Sequence, residues 1–198
     1  ELDKLAYSIP SSQPNLDWSV TFRLVGIYRW EIDGFVRCIH NDAAVFGRMC
    51  MREFAGDWWK NSLAKHQRLE GGVSCPVANL APWSAMHSLS IKDMTADESA
   101  SKVAKDIQTH VLPFVSSVQS EQRYLQLLLA DETPMRWGHG QPLRRFAESV
   151  WLCKRLGESL DPALAALERE RLLLQGQLFD ISLDTYAESV LHALHSEA

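Results

Sequence analysis

Hydrophobic and polar residues alternate along residues 17–33, which is the clearest periodic pattern in the chain. The even positions carry the apolar residues Trp18, Val20, Phe22, Leu24, Tyr28, Trp30 and Ile32, and among the odd positions only Val25 and Ile27 are apolar. A period of two predicts a β-strand with one buried face. Because the segment is longer than a usual strand, we expect a bulge or bend near Gly26. Asp33-Gly34 then predicts a two-residue hairpin turn, since glycine accepts the positive φ of a type I′ turn.

Three later segments also have the pattern of extended chain and end at turn residues. They are residues 44–54, 73–79 and 87–91. The apolar face of the first consists of Val45, Met49 and Met51. Together with the first segment they predict an antiparallel sheet of four or five strands.

Helical periodicity replaces this alternation after Thr95. Thr95 and Glu98 have the spacing of a capping box, which satisfies amide groups in the first turn of a helix. The predicted apolar face of this helix is Ala100, Val103, Ala104, Ile107 and Val111, and Pro113 is expected to kink or end it. Further helices are predicted at residues 120–131, 142–156, 162–175 and 182–195, and the second and third of these form an αα-hairpin.

These patterns predict an α+β fold: an antiparallel four- or five-stranded sheet packed by a helix, with a C-terminal helical subdomain. Residues 1–118 would form the sheet domain and residues 119–198 the helical subdomain. We expect the two to pack as one unit.

Composition and charge narrow the functional classes. With 46% hydrophobic and 23% charged residues, the chain resembles a folded globular protein and not a disordered or low-complexity one. The net charge is −5, with 10 basic and 12 acidic residues in residues 1–100 and 10 and 13 in residues 101–198. Since neither half is basic, nucleic acid is not expected as a partner. No apolar run approaches the roughly 18 residues that cross a bilayer, so no membrane association is expected.

The four cysteines lie in apolar stretches and form no C-x-x-C pair. They are therefore predicted to be buried thiols, and the cytoplasm is the expected compartment. Because the sequence begins with Glu1 and not with methionine, a removed signal peptide stays an open alternative.

The histidines give one candidate for catalysis. His192 and His195 are spaced i, i+3 on a helix, but no cysteine or acidic pair accompanies them, so a solvated helix end is preferred to a metal site. His139 lies between two glycines and is a candidate for proton transfer together with Asp131 or Glu132. No P-loop, dinucleotide-binding, H-E-x-x-H or EF-hand motif occurs, and we predict no cofactor, no metal and no catalytic set.

Seven tryptophans are the more informative feature. Tryptophan is common in cores and in protein interfaces because it combines a large apolar surface with one hydrogen-bond donor. The tryptophans therefore either seal the junction between sheet and helix or form a protein-binding surface. For the second alternative, the predicted binding residues are Trp58, Trp59, Arg136, Trp137 and His139.

Two stretches of the chain carry a family resemblance, the Trp-rich segment of residues 17–54 and the segment that begins at Leu80. The run from Leu80 through Trp83 to Ile91, followed by the capped helix and His110-Val111-Leu112-Pro113-Phe114, resembles a bacterial domain of unknown function. The resemblance covers about residues 1–118. It implies a β-meander leading into a helix with a Leu-Pro end, and it supplies no catalytic residues. Such domains are also similar to the immunity proteins of bacterial toxin systems, which are small, acidic and non-catalytic.

We therefore expect a non-enzymatic protein-binding domain, either an immunity or antitoxin-like protein or an adaptor. Its partner would be a toxin or another basic protein. The alternative is a small hydrolase or transferase with a dispersed site around His139. A homodimer formed through a sheet edge or through the last helix is a third alternative.

Overall fold

The computed structural model describes residues 4–25, 30–65, 72–83, 88–130, 141–174 and 183–196. Five strands form one antiparallel sheet, and seven α-helices accompany it in these residues. The α+β fold with a C-terminal helical part is thereby confirmed. The strands are β1 (Lys4–Ile9), β2 (Leu16–Val25), β3 (Glu31–His40), β4 (Val73–Pro76) and β5 (Ser88–Ser90).

The sheet has the order β1-β2-β3-β4, and β5 also pairs with β3. Residues Phe35–Cys38 of β3 pair with β4 and residues Glu31–Asp33 pair with β5. Since β2 occupies the other side of β3, the strands β4 and β5 lie one after the other along the same edge of β3.

The alternation that predicts β2 is confirmed by burial from Trp18 to Phe22, but Leu24 and Trp30, which are predicted on the same buried face, are exposed. Trp18, Val20 and Phe22 are buried, whereas Asp17 is exposed and Ser19 is half-buried. The side chain of Trp18 packs edge-on against Phe114, with ring centroids 5.9 Å apart. This face of the strand therefore belongs to the core.

The hairpin turn predicted at Asp33-Gly34 is wrong, because both residues lie inside β3. Strand β2 ends at Val25, β3 begins at Glu31, and the predicted bulge at Gly26 lies outside the described residues. Gly34 has a different role. A Cβ atom at this position would lie 2.8 Å from both Phe22 Cε1 and Val77 Cγ2, so glycine provides the room that these core side chains occupy.

The strand predicted at residues 44–54 is also wrong. These residues belong to helix α1 (Asn41–Lys65). Buried positions follow helical spacing, while Val45, predicted on the apolar face, is exposed. The buried residues are Ala43, Ala44, Phe46, Gly47, Cys50 and Met51. The extended segment predicted at residues 73–79 is a strand only over Val73–Pro76 and continues as a 3₁₀ turn over Val77–Asn79.

The capping box at Thr95 is confirmed at the start of helix α2 (Ala96–Asp106). Pro113 does not end the helical path. A π-helical turn over Ile107–Val111 precedes it, and helix α3 (Leu112–Ser117) follows. The predicted apolar face is wrong for the first turns, since Ala100 and Ala104 are exposed whereas Ser99 and Asp106 are buried.

The later helices agree with their predictions to within about two residues. They are α4 (Glu121–Leu129), α5 (Gln141–Leu156), α6 (Asp161–Leu174) and α7 (Leu183–Ser196). Gly157 ends α5 with φ +70°, and the amides of Gly157 and Glu158 donate to the carbonyls of Lys154 and Cys153. This Schellman pattern explains why the helix stops at this glycine.

The chain forms two compact units. The first contains the described residues of 1–39 and 73–120, which are the sheet with α2 and α3. The second contains those of 40–72, 121–131 and 137–198, which are the helices α1, α4, α5, α6 and α7. Helix α5 contacts all four other helices of this second unit. Among the described residues, no helix has the length and apolar character that crossing a membrane requires.

Candidate functional site

Two of the five predicted binding residues lie in a helix that the structure describes. Trp58 and Trp59 fall within helix α1, but their side chains lie outside the described part of the chain. Arg136, Trp137 and His139 lie outside the described residues altogether, as do Asp131 and Glu132. The predicted cluster, and the alternative site around His139, therefore stay predictions.

Two tryptophans do seal the junction between sheet and helices in the first unit. Trp18 contacts Phe114 of α3, and the ring of Trp83 lies 6.4 Å from that of Phe22. The indole Nε1 of Trp83 donates a hydrogen bond to Asp106 Oδ2 at 2.7 Å. The Nζ atom of Lys102 donates to the same oxygen at 2.6 Å, so the buried carboxylate is charge-balanced. These residues are structural.

Among the described residues, His40 is buried and both of its ring nitrogens are within hydrogen-bonding distance of another group. It is the last residue of β3 and has no exposed surface. Its Nδ1 accepts a hydrogen bond from the backbone amide of Ala43 at 3.3 Å, in the first turn of α1. Because Nδ1 is an acceptor, the proton of a neutral ring is on Nε2, which lies 3.1 Å from Glu121 Oε1.

Aromatic and basic side chains complete this cluster. The centroid of the His40 ring lies 5.9 Å from that of Tyr124 and 5.5 Å from that of Trp151. The backbone amide of His40 donates a hydrogen bond to the Tyr124 hydroxyl. The Nε atom of Arg155 donates to Glu121 Oε2 at 2.9 Å, a bond that raises the pKa of Arg155. With both ring nitrogens engaged and the ring inaccessible, His40 caps α1 and connects it to α4 and α5. It does not offer a base to a substrate.

Helix α5 carries a second polar cluster, in the interior of the second unit. Every residue from Leu143 to Val150 is buried, including Arg144, Arg145, Glu148 and Ser149. Arg144 Nε donates to Glu148 Oε1 at 2.9 Å, and Arg144 Nη2 donates to the carbonyl of Ala44 at 3.0 Å. The other oxygen of Glu148 accepts from the amide of Gly72 at 3.1 Å.

Gly47 makes the approach of α1 to this cluster possible. A Cβ atom there would lie 3.0 Å from Glu148 Cγ and 3.1 Å from Arg144 Cγ. Arg145 bonds the carbonyls of Leu128 and Ala130, which lie at the end of α4. Both arginines therefore satisfy backbone groups of neighbouring helices, and the cluster holds the second unit together. This cluster was not predicted from the sequence, although the i, i+4 spacing of Arg144 and Glu148 indicates an ion pair on one face of a helix.

Burial governs the chemistry of the cysteines. All four are buried thiols, as predicted. Burial raises the pKa of Cys75 to about 12, and burial together with Glu158 raises the pKa of Cys153. A thiol with a raised pKa is a poor nucleophile because the thiolate is the reactive species. Among the described residues, no group of three or more histidine, cysteine, aspartate or glutamate side chains is arranged to hold a metal ion.

An exposed tryptophan marks the surface of the first unit. Trp30 directly precedes β3, and the residue is 47% exposed. Its carbonyl accepts from the amide of Ile91 at 2.8 Å, which extends the pairing of β3 with β5 by one residue. The ammonium of Lys92 lies 5.4 Å from the ring centroid. With the exposed Met94, these residues form what we call the Trp30 surface: Trp30, Lys92 and Met94.

Comparison of the chain with protein-family models, with curated proteins and with solved structures gives no significant match.

Proposed function

We propose that this chain is a non-enzymatic protein-binding domain, of the immunity or adaptor type, that binds a basic partner protein. The observation that carries the proposal is the exposure of the Trp30 ring on a fixed backbone. Large exposed aromatic side chains are the residues that most often dominate the free energy of protein association.

The rigidity of the Trp30 surface favours binding. Trp30 is held by its bond to Ile91, and the adjacent Glu31 accepts a hydrogen bond from the Ser88 hydroxyl at 2.8 Å. A side chain presented by paired strands loses less conformational entropy on association than one on an unpaired loop. The cation of Lys92 over the ring orients the indole further.

The charge around the Trp30 surface favours a basic partner. Glu31 pairs with Ser90 of β5 and is exposed, and Asp93 lies exposed between Lys92 and Met94. The whole chain has a net charge of −5. Acidic groups at the rim of an aromatic anchor attract a basic protein and increase the rate of association. The immunity-like role follows from an analogy, because the domain family that residues 1–118 resemble is similar to small, acidic immunity proteins.

The proposal is tested by affinity capture from native lysate with three baits: the wild-type chain, Trp30→Ala and Leu164→Ala. Leu164 is a matched control because it is also a partly exposed apolar residue but lies on α6. We expect a stoichiometric basic protein with the wild type and with Leu164→Ala. With Trp30→Ala, the affinity for the purified partner should fall by about thirtyfold, the effect of losing a hot-spot residue.

Three results would overturn the proposal. The first is that no stoichiometric partner is captured. The second is that the captured protein binds folded Trp30→Ala as tightly as the wild type, where circular dichroism verifies the fold. The third is a turnover that His139→Ala abolishes, since this would contradict the non-enzymatic role.

A further inference from the structure

Strand β1 presents an apolar strip at the edge of the sheet. Its register places Leu5 opposite Phe22 and Tyr7 opposite Val20, so these side chains share the core face of the sheet. Phe22 and Val20 are buried, whereas Leu5 is 47% and Tyr7 54% exposed. Leu24, two residues beyond Phe22 on the same face, is also exposed. We call Leu5, Tyr7 and Leu24 the β1 strip.

The same strand has an edge to which another strand can be added. Within the described ranges, β1 pairs with β2 and no strand lies on its other side. A strand in this position directs alternate backbone N–H and C=O groups away from the sheet. An added strand would satisfy both these groups and the apolar strip, whereas a packed helix would cover only the strip.

We propose that two copies of this chain associate by antiparallel pairing of their β1 strands across a two-fold axis. When the axis passes through Ala6, each residue lies opposite one of the same parity in the second copy. Leu5 then faces Tyr7 of the second copy, and the apolar strips of both copies form one continuous face. The strand is thus complementary to itself.

The charge on β1 is compatible with this pairing. Lys4, at one end of the strand, lies opposite the uncharged Ser8 of the second copy. The two Lys4 residues are four positions apart along the paired strands, or about 13 Å at 3.3 Å per residue. This separation exceeds the screening length of about 10 Å at 0.1 M salt, so the two charges repel each other weakly.

The size of the contact limits its strength. With the axis at Ala6, five residues of each strand (residues 4–8) are paired over about 17 Å. The contact is therefore smaller than a standard stable interface, which buries roughly 1,600 Å². We therefore expect a weak, reversible dimer, populated in the upper part of a concentration series from low micromolar to about 1 mM.

Sedimentation velocity over that series tests the proposal on the full chain. We expect the wild type to form dimers and Tyr7→Lys to lower the association constant by at least about tenfold, because it puts a charge into the shared apolar face. The matched control is Thr21→Lys, which adds the same charge on the opposite face of β2. It should leave the constant within about twofold of the wild type.

Hydrogen exchange locates the contact independently. The amides of β1 that point away from β2 should gain protection as the wild-type concentration rises, and this gain should be absent in Tyr7→Lys. If that variant is misfolded by circular dichroism, Tyr7→Thr, which keeps a strand-forming residue, replaces it. A wild type that stays monomeric, a dimer insensitive to Tyr7 substitution, an equal loss in Thr21→Lys, or protection confined to another element would each overturn the proposal.

Discussion

The guanidinium of Arg144 and the carboxylate of Glu148 lie one turn apart on α5 and form an ion pair with almost no solvent exposure. The pair is also bonded to the backbone of Ala44 and Gly72. Removing one charge leaves the other buried without its counter-ion. We expect Glu148→Gln, which keeps the shape of the side chain, to lower the free energy of unfolding by about 3 kcal/mol. Urea denaturation measures this loss.

The double substitution Arg144→Met with Glu148→Leu is the control. It removes both charges together, so its loss should be smaller than that of Glu148→Gln alone. If the double variant loses as much unfolding free energy as Arg144→Met and Glu148→Leu lose in sum, the residues act independently and the ion pair does not explain their burial.

Gly34 is expected to be intolerant of a side chain. Gly34→Ala would place a Cβ atom 2.8 Å from Phe22 and Val77, so core side chains must shift. We expect a loss of about 1–3 kcal/mol in the free energy of unfolding. In the double variant Gly34→Ala with Phe22→Leu, the smaller side chain at position 22 should recover part of this loss. Equal stability of Gly34→Ala and wild type would show that the strands adjust without cost.

Cys75 should make stability depend on alkaline pH. Burial raises its pKa from 9.0 to about 12, so the folded state favours the protonated thiol. A raised pKa contributes stability that is fully present below pH 9 and is lost as the pH rises from 9 towards 12. The difference in unfolding free energy between wild type and Cys75→Ala should therefore shrink between pH 8 and pH 11. A difference independent of pH would contradict the assigned cause.

The capping box of α2 should respond to acid. Hydrogen bonds from the backbone and side chain of Thr95 hold the pKa of Glu98 below its usual 4.5. A lowered pKa contributes stability that is present above pH 4.5 and is lost as the pH falls through the folded value. Thr95→Ala should reduce this acid dependence, because the side-chain bond is lost while the backbone amide of residue 95 still donates to Glu98, and it should weaken the first turn of α2 at neutral pH. Unfolding monitored at pH 7 and pH 3 in both proteins measures it, and an unchanged acid loss in Thr95→Ala would contradict the assignment.

Local sequence signals predict the elements whose pattern is decided by neighbours along the chain. The alternation of β2 up to Phe22, the capping box at Thr95 and the end of α5 at residue 156 agree with the structure. The hairpin turn predicted at Asp33-Gly34 is wrong because a glycine that makes room for Phe22 cannot be distinguished in the sequence from a turn glycine. The strand predicted at residues 44–54 fails because short apolar runs fit either period.

The polar interior was not predictable in the same way. Arg144, Arg145 and Glu148 are typical of a solvated helix face when considered alone. Their burial depends on carbonyls and amides contributed by residues distant along the chain, such as Ala44, Leu128 and Gly72. Likewise, His40 gives no local signal that its ring will bond Ala43 and Glu121.

The π-helical turn before Pro113 has a consequence for the alignment of related sequences. The amide of Leu112 donates to the carbonyl of Ile107, five residues earlier, and Pro113 has no amide to donate. The buried positions step from Asp106 to Val111 and then to Val115, so the turn adds one residue to the usual spacing. It therefore acts as a single-residue insertion that keeps both flanking segments in phase. In a homologue without this proline, we expect a one-residue gap to fall between the positions of Asp106 and Val111.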